Sequence, residues 1–248
     1  MKTVLHIGIN LLFLVVSLSA KAADVGSQFE AANKLYGENK FAEAATAYEK
    51  IIASGTFSPV LYFNLGNAHF KAGHLGHAIA AYRNTSALTP RDPDLIANLK
   101  FARDQVQGPT IRPEKISRML STFTLSEWTW LTTIGVWITF ALLIATQIKP
   151  ALKPALKTMT IVATTLTVMI GICLTTSFYN KSARQTAIVT VEEATVRNSP
   201  IEQSPSTFVA QDGAELIVLD AKDDWLQVSD GTRRIGWMRS ASLTLSDR

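Results

Sequence analysis

Three of the four histidines in the 248-residue chain lie close together, as His69 and the pair His74-x-x-His77. Imidazole nitrogens bind transition metals, and the spacing of the pair would let both rings reach one ion. No cysteine or carboxylate nearby in the sequence completes such a site. We therefore interpret His74 and His77 as solvated turn residues and His69 as a packed histidine, and we predict no metal.

Residues for catalysis are equally scarce. The adjacent acids Glu192-Glu193 would point to opposite faces of a strand, and Asp223-Asp224 is typical of a turn. Glycine-rich phosphate loops and the G-x-S-x-G and H-E-x-x-H motifs are absent. Cys173, the single cysteine, lies in an apolar run, where a thiol is usually a small hydrophobic residue. The sequence predicts a protein that is not an enzyme and uses no cofactor.

Four asparagines on predicted helices are the strongest candidates for a binding site. They are Asn33, Asn64, Asn67 and Asn98. Side-chain amides can hydrogen-bond an extended peptide backbone while reading little of its sequence. The alternative is that these amides pack between neighbouring helices, and the sequence leaves both interpretations open.

The region that would position these asparagines, 23–107, is built from an internal repeat. Ala44 and Tyr48 recur as Ala78 and Tyr82. The spacing is that of the tetratricopeptide repeat, a pair of helices with a period of about 34 residues, and the second copy follows the repeat pattern almost throughout. Stacked repeats present the inner faces of their first helices as a groove, and the asparagines lie on those helices.

Two uncharged runs, 128–147 and 158–179, predict a transmembrane hairpin. At about 1.5 Å per residue each run covers the roughly 30 Å hydrocarbon core of a bilayer. The intervening segment 148–157, "IKPALKPALK", holds three lysines and no acid, which favours a cytoplasmic loop. Neither run contains an ionisable Asp, Glu, Lys, Arg or His, so ion transport is disfavoured.

Two further segments complete the membrane topology. Residues 1–22 predict an export signal peptide, with Lys2 before an apolar centre and Ala20-Lys21-Ala22 as the cleavage pattern; an uncleaved anchor is the alternative. Residues 108–127 contain an amphipathic stretch that would lie on lipid or pack on the repeats. An exported N-terminus and two spans place both the N- and C-terminal domains in the periplasm, at the bacterial cytoplasmic (inner) membrane.

The composition agrees with a membrane protein. Only 18% of the residues are charged, against about 25% in typical soluble domains. The net charge is +4, and the basic excess lies mainly at the N-terminus and in 148–157. Nucleic-acid binding needs a basic cluster on a folded face, and no such cluster is present, so we predict no nucleic-acid partner.

The segment 181–248 consists of short β-branched and aromatic runs divided by turn signals such as Asp212-Gly213 and Asp230-Gly231. About five strands in this length predict a small closed all-β barrel. Trp225 and Trp237 are candidates for its binding surface. The alternative is that both rings belong to the core or rim of the barrel.

Together these features resemble the BatE proteins of bacterial aerotolerance (Bat) operons. The run 64–103, "NLGNAHFKAGHLGHAIAAYRNTSALTPRDPDLIANLKFAR", carries the resemblance in the repeats. The C-terminal part is similar to a bacterial SH3 domain through Thr195-Val196-Arg197 and Gly236-Trp237-Met238. The resemblance implies a multidomain membrane protein with tetratricopeptide repeats, a transmembrane hairpin and a small SH3-like barrel. It also implies partners, namely von Willebrand factor A-type membrane proteins and a MoxR-type AAA ATPase.

We therefore expect a non-enzymatic scaffold or adaptor, anchored in membrane lipid, that binds protein partners on the exported side. Its role would lie in envelope or oxidative-stress tolerance. The alternative is a cell-wall module that binds peptidoglycan through the SH3-like domain.

Overall fold

The computed structural model describes residues 24–109, 111, 115–183 and 185–246. The predicted signal peptide, 1–22, lies outside the described residues. Those residues form eight helices and seven strands. The helices are α1 (24–37), α2 (Phe41–Ala53), α3 (Pro59–Lys71), α4 (Leu75–Leu88), α5 (Pro93–Arg103), α6 (Lys115–Leu120), α7 (Leu125–Ile148) and α8 (Lys153–Ala183). The strands are β1 (Thr186–Val189), β2 (Glu193–Arg197), β3 (Ser206–Gln211), β4 (Glu215–Lys222), β5 (Trp225–Ser229), β6 (Ile235–Arg239) and β7 (Leu243–Ser246).

Helices α1 to α5 form the helical part, in which each helix packs on the next one along the chain. Gly66 on α3 lies against Tyr82 on α4, and a Cβ at Gly66 would stand 2.5 Å from the tyrosine ring. Ala78 is fully buried at the same helix pair. Small residues thus allow α3 and α4 to approach closely. Asp92 begins α5 by accepting hydrogen bonds from two backbone N–H groups.

Helices α7 and α8 pack on each other as a hairpin, and both are long and apolar enough to cross a membrane. Thr124 and Glu127 form a capping box at the start of α7. Gly135 lies against Thr167, so α7 and α8 meet at small side chains. A short 3₁₀ turn joins the helices and α8 begins at Lys153, so every residue of the predicted loop 148–157 except Lys149 lies in a helix or in the 3₁₀ turn.

Strands β1 to β7 form the sheet part, one antiparallel sheet in the order β3-β2-β6-β5-β4-β1-β7. The sequence predicts about five strands closed into a barrel, whereas the hydrogen-bonded order is open, with β3 and β7 at its edges. The run "TAIVTVEEATVR" breaks between Val189 and Glu193 into β1 and β2. The last strand, β7, follows a 3₁₀ turn and pairs with β1.

The helical part and the sheet part share a core along a contact that we call the seam, where β1 and β7 lie on α4. Ile188 of β1 is fully buried in one cluster with Ile79 and Leu95 of the helical part. At Gly76 the backbones meet so closely that a Cβ would overlap the carbonyl oxygen of Val189. The two parts therefore form one packed body, although the hairpin separates them in the sequence.

Candidate functional site

The four asparagines selected from the sequence come together as two amide pairs on neighbouring helices. In the first pair, Asn33 Oδ1 accepts hydrogen bonds from the Tyr48 hydroxyl at 2.7 Å and from Asn64 Nδ2 at 3.3 Å. The arrangement recurs in the next copy of the repeat. There, Asn67 Oδ1 accepts from the Tyr82 hydroxyl at 2.8 Å and from Asn98 Nδ2 at 3.1 Å. The second pair thus repeats the first atom by atom.

Each amide pair keeps one donor group and one acceptor unused. Within the described residues, Nδ2 of Asn33 and of Asn67 has no hydrogen-bond partner, and the same holds for Oδ1 of Asn64 and of Asn98. All four side chains are half-buried. A peptide unit offers one N–H and one C=O, so each amide pair matches the hydrogen-bonding groups of one peptide unit.

The tyrosine hydroxyls fix the orientation of the amides. Burial raises the pKa of both Tyr48 and Tyr82, so each hydroxyl stays protonated and donates to its asparagine oxygen. With that oxygen occupied, Nδ2 of Asn33 and of Asn67 is left as the free group. The sequence left two interpretations open, and each applies to a different atom of Asn33 and Asn67. The Oδ1 atom takes part in packing between helices, and the Nδ2 atom is available in the groove.

A side cavity of about 330 Å³ adjoins the second amide pair. It is lined by Tyr36, Asn67, Phe70, Lys71, Tyr82, Asn98 and Phe101. The rings of Phe70 and Phe101 lie 5.6 Å apart and form an apolar wall, and the Phe101 side chain is 60% exposed. Lys71 adds a positive charge. We call the two amide pairs and this cavity the amide groove.

Comparisons with known proteins find no match to the chain. This holds for models of protein families, for curated proteins and for solved structures. Among the described residues, the hydrogen-bonding groups that the amide groove offers to a ligand are two amide nitrogens and two amide oxygens.

Behind the groove, the seam contains a buried carboxylate between two arginines. Glu215, at the start of β4, is 8% exposed and pairs with Arg83 of α4 and Arg103 of α5. Burial alone would raise the pKa of Glu215, but the hydrogen bonds and charges of Arg103 and Arg83 outweigh it, and the pKa is lowered. Glu215 is therefore ionised near neutral pH and joins the sheet part to two helices.

The seam also supplies a helix cap. The α4 helix has no side-chain cap of its own, because His74 stands at the capping position. Instead, Asp212 of the sheet part accepts hydrogen bonds from Leu75 N at 2.9 Å and Gly76 N at 3.0 Å. A carboxylate is favourable at a helix N-terminus, where the helix dipole is positive. The sequence could not reveal this contact, because Asp212 and α4 lie on opposite sides of the hairpin in the chain.

The histidines meet a carboxylate that the sequence analysis did not associate with them. His69 is buried, and its Nε2 lies 3.1 Å from Oε1 of Glu49 on α2. The His77 ring stacks on the His69 ring at 4.9 Å. Burial, and then the charges of His77 and His74, lower the pKa of His69 to about 4, so the ring is neutral near pH 7.

The two tryptophans lie on neighbouring strands, with their side chains on the face opposite the buried Val228 and Met238. Trp225 is buried, and the Arg239 guanidinium covers its ring at 4.7 Å. Trp237 is half-buried and pairs across the strands with Gln227. Peptidoglycan binding at this surface stays a prediction from the sequence.

Proposed function

We propose that the chain is a membrane-anchored adaptor, without enzymatic activity, whose amide groove holds an extended segment of a protein partner. The observation that carries this proposal is the pairing of free amide donors and acceptors. Asn33 and Asn64 offer one donor group and one acceptor, and Asn67 and Asn98 repeat that set one helix pair later. An extended backbone presents its N–H and C=O groups at regular intervals, which such a ladder can bind.

The side cavity suggests what the partner segment contains. Phe70 and Phe101 would receive an apolar side chain, because burying apolar surface is favourable. Lys71, which is exposed, would attract an acidic residue next to it. The proposed ligand is thus an extended segment with one apolar residue followed or preceded by an acidic one.

The membrane hairpin would hold this groove close to the bilayer. Arg91, between α4 and α5, forms an ion pair with Glu127 in the first turn of α7. Its guanidinium also lies over the Phe123 ring at 5.3 Å. The helical part is therefore joined directly to the start of the first proposed span.

The seam supports a topology with two crossings. Because Glu215 of the sheet part contacts Arg83 and Arg103 of the helical part, the two parts must occupy the same compartment. Two spans between them meet this requirement, whereas one span would not. With the export signal proposed for residues 1–22, that compartment is the periplasm, and the loop lysines face the cytoplasm.

We propose a Bat-type setting for this adaptor on the basis of the sequence resemblance. The partners would then be von Willebrand factor A-type membrane proteins, acting with a MoxR-type AAA ATPase in envelope or oxidative-stress tolerance. Such partners are consistent with a groove that reads peptide backbone and holds no catalytic group among the described residues.

Photo-crosslinking in native membranes tests the proposal. A benzophenone analogue of phenylalanine at position 101 would lie at the exposed edge of the groove. We expect it to crosslink to a von Willebrand-type partner, identified by mass spectrometry. The substitution Asn67→Asp keeps an oxygen for Tyr82 and Asn98 but replaces the free donor by an acceptor. It should lower the crosslinked yield about tenfold, the equivalent of about 1.4 kcal/mol.

Gln203→Ala is the matched control, since it removes an exposed amide from the sheet part. Its crosslinked yield should equal that of the wild type. Equal yields from the wild type and Asn67→Asp would contradict the role of the groove. A groove-dependent crosslink to a protein of another class would instead contradict the Bat-type partners alone.

A further inference from the structure

We propose that Glu49, His69 and His77 bind one divalent transition-metal ion such as Zn²⁺. The three residues come from consecutive helices, α2, α3 and α4, and one ligand atom of each lies within 4.8 Å of the other two. This site is separate from the amide groove and does not depend on the function proposed for it.

The donor set has the chemistry that Zn²⁺ prefers, namely imidazole nitrogen and carboxylate oxygen. The Nδ1 atom of His69 is buried and has no hydrogen-bond partner among the described residues. Its Nε2 contacts only a carboxylate, Glu49, so the buried ring has polar capacity that the protein alone leaves unused.

Small side-chain movements would complete the coordination. Tetrahedral Zn²⁺ with bonds of about 2.0–2.2 Å holds its ligand atoms about 3.3–3.6 Å apart. Separations of up to 4.8 Å must therefore shorten by up to about 1.2–1.5 Å. His69 is buried and fixed, whereas Glu49 is exposed and His77 is half-buried, so both can rotate towards it without moving a helix.

A fourth position is available next to the cluster. A cavity of about 490 Å³ in the seam is lined by Gly73, His74, His77, Thr190, Glu192 and Asp212. A metal held by His77 would lie at the edge of this cavity, where water or His74 could complete the tetrahedron. The His74 ring already lies 6.2 Å from the His77 ring and 5.8 Å from the His69 ring.

The internal repeat gives an independent argument for an ion at this place. The equivalents of Glu49 and His69 in the next copy are Arg83 and Arg103. Those two arginines converge on the carboxylate of Glu215. In the second copy of the repeat, the carboxylate of Glu215 thus lies between two cationic side chains. At the equivalent place in the first copy the protein offers a carboxylate and imidazole nitrogens, and a metal cation would complete that set.

Zn²⁺ titration of the full chain in detergent micelles, prepared without a polyhistidine tag, tests the site. In competition with a colorimetric chelator, we expect one equivalent of Zn²⁺ per chain. Co²⁺ should bind at the same stoichiometry and give the visible absorption of a tetrahedral centre. Glu49→Gln and His77→Ala each remove one ligand from a solvent-accessible position and should weaken binding at least about tenfold.

Glu43→Gln is the matched control, because it alters another exposed carboxylate of α2. It should bind Zn²⁺ as the wild type does. Thermal unfolding without metal checks that the variants remain folded, and added Zn²⁺ should raise the midpoint of the wild type and of Glu43→Gln only. The proposal is overturned if the wild type binds no stoichiometric Zn²⁺, or if Glu49→Gln and His77→Ala keep wild-type affinity.

Discussion

At the scale of single residues, Asn67 has two tasks that belong to different atoms. Its Oδ1 accepts hydrogen bonds from the Tyr82 hydroxyl and from Asn98 Nδ2, and its Nδ2 has no partner among the residues that the structure describes. The internal task concerns stability, and the external task concerns binding. A substitution that changes only one of these two atoms should therefore change either stability or binding, but not both.

Asn67→Ala removes the acceptor and leaves the buried Tyr82 hydroxyl without a partner. An unsatisfied buried hydroxyl costs about 1–3 kcal/mol, so we expect a loss of that size in the free energy of unfolding. Denaturant unfolding monitored by circular dichroism measures it. Asn98→Ala is the control, since Tyr82 keeps its acceptor and the loss should be smaller. Equal losses would show that Tyr82 does not depend on Asn67.

Gly66→Ala tests the close contact between α3 and α4. A Cβ at Gly66 would stand 2.5 Å from Cε1 of Tyr82, and overpacking of this kind costs about 1–3 kcal/mol. We expect the midpoint of thermal unfolding to fall accordingly. Gly37→Ala is matched to it, because no atom lies within 4 Å of a Cβ there. Similar midpoints for both variants would mean that α3 and α4 separate easily.

At the scale of elements, α4 is stabilised at its start by a residue of the sheet part. Asp212→Ala should destabilise the protein by about 0.5–2 kcal/mol, the usual cost of losing an N-cap. Thermal unfolding and protease sensitivity at the seam provide the measurement. Glu192→Ala, a change to an exposed carboxylate nearby, should stay within about 0.5 kcal/mol of the wild type. If Asp212→Ala were as stable as the wild type, α4 would not depend on this cap.

The elements themselves follow largely from local sequence. The capping box of Thr124 and Glu127 depends on local sequence alone, because both partners lie within one helical turn. The predicted uncharged runs lie in α7 and α8 for a similar reason, since length and composition are local properties. The break between β1 and β2 does not follow from local sequence, because it begins at Thr190 and Val191, which favour strands, and the pairing with other strands decides where each strand ends.

The candidate sites follow only in part from local sequence. The asparagines could be found because the repeat places Asn64 and Asn98 at equivalent positions. The repeat signal also predicts that their helices are neighbours. Glu49 was not associated with the histidines, because its contact with His69 depends on the offset of two helices rather than on a short motif. The sequence signal that could have revealed this contact is the position of Glu49, which lies one repeat period before Arg83.

At the scale of the whole molecule, the ion pairs of the seam join the helical part to the sheet part. Removing Glu215 would leave Arg83 and Arg103 partly buried without their anion. Breaking a buried pair in this way costs about 3–5 kcal/mol. Glu215→Gln should therefore lower the free energy of unfolding at pH 7 by an amount near that range, measured by denaturant titration.

The same contact gives a pH dependence of known sign. The pKa of Glu215 is lowered from its ordinary value of 4.5, so its contribution to stability is complete above pH 4.5 and declines as the pH falls below it. The difference in stability between the wild type and Glu215→Gln should be constant from pH 7 to pH 5 and should narrow below pH 4.5. Glu192→Gln should follow the wild-type curve. A difference that widens in acid would refute the assignment.

The core shared through Ile188 has a consequence for biogenesis. During synthesis the helical part leaves the ribosome first, and α7 and α8 follow before the strand that completes its core. Until β1 arrives, Ile79 and Leu95 lack their contact with Ile188, and Arg83 lacks Glu215 until the start of β4 follows. With α7 and α8 inserted as proposed, β1 reaches this surface only after both helices have crossed. Completion of the helical core would then depend on correct insertion of both helices, because Ile188 and Glu215 could reach it only from the same side of the membrane.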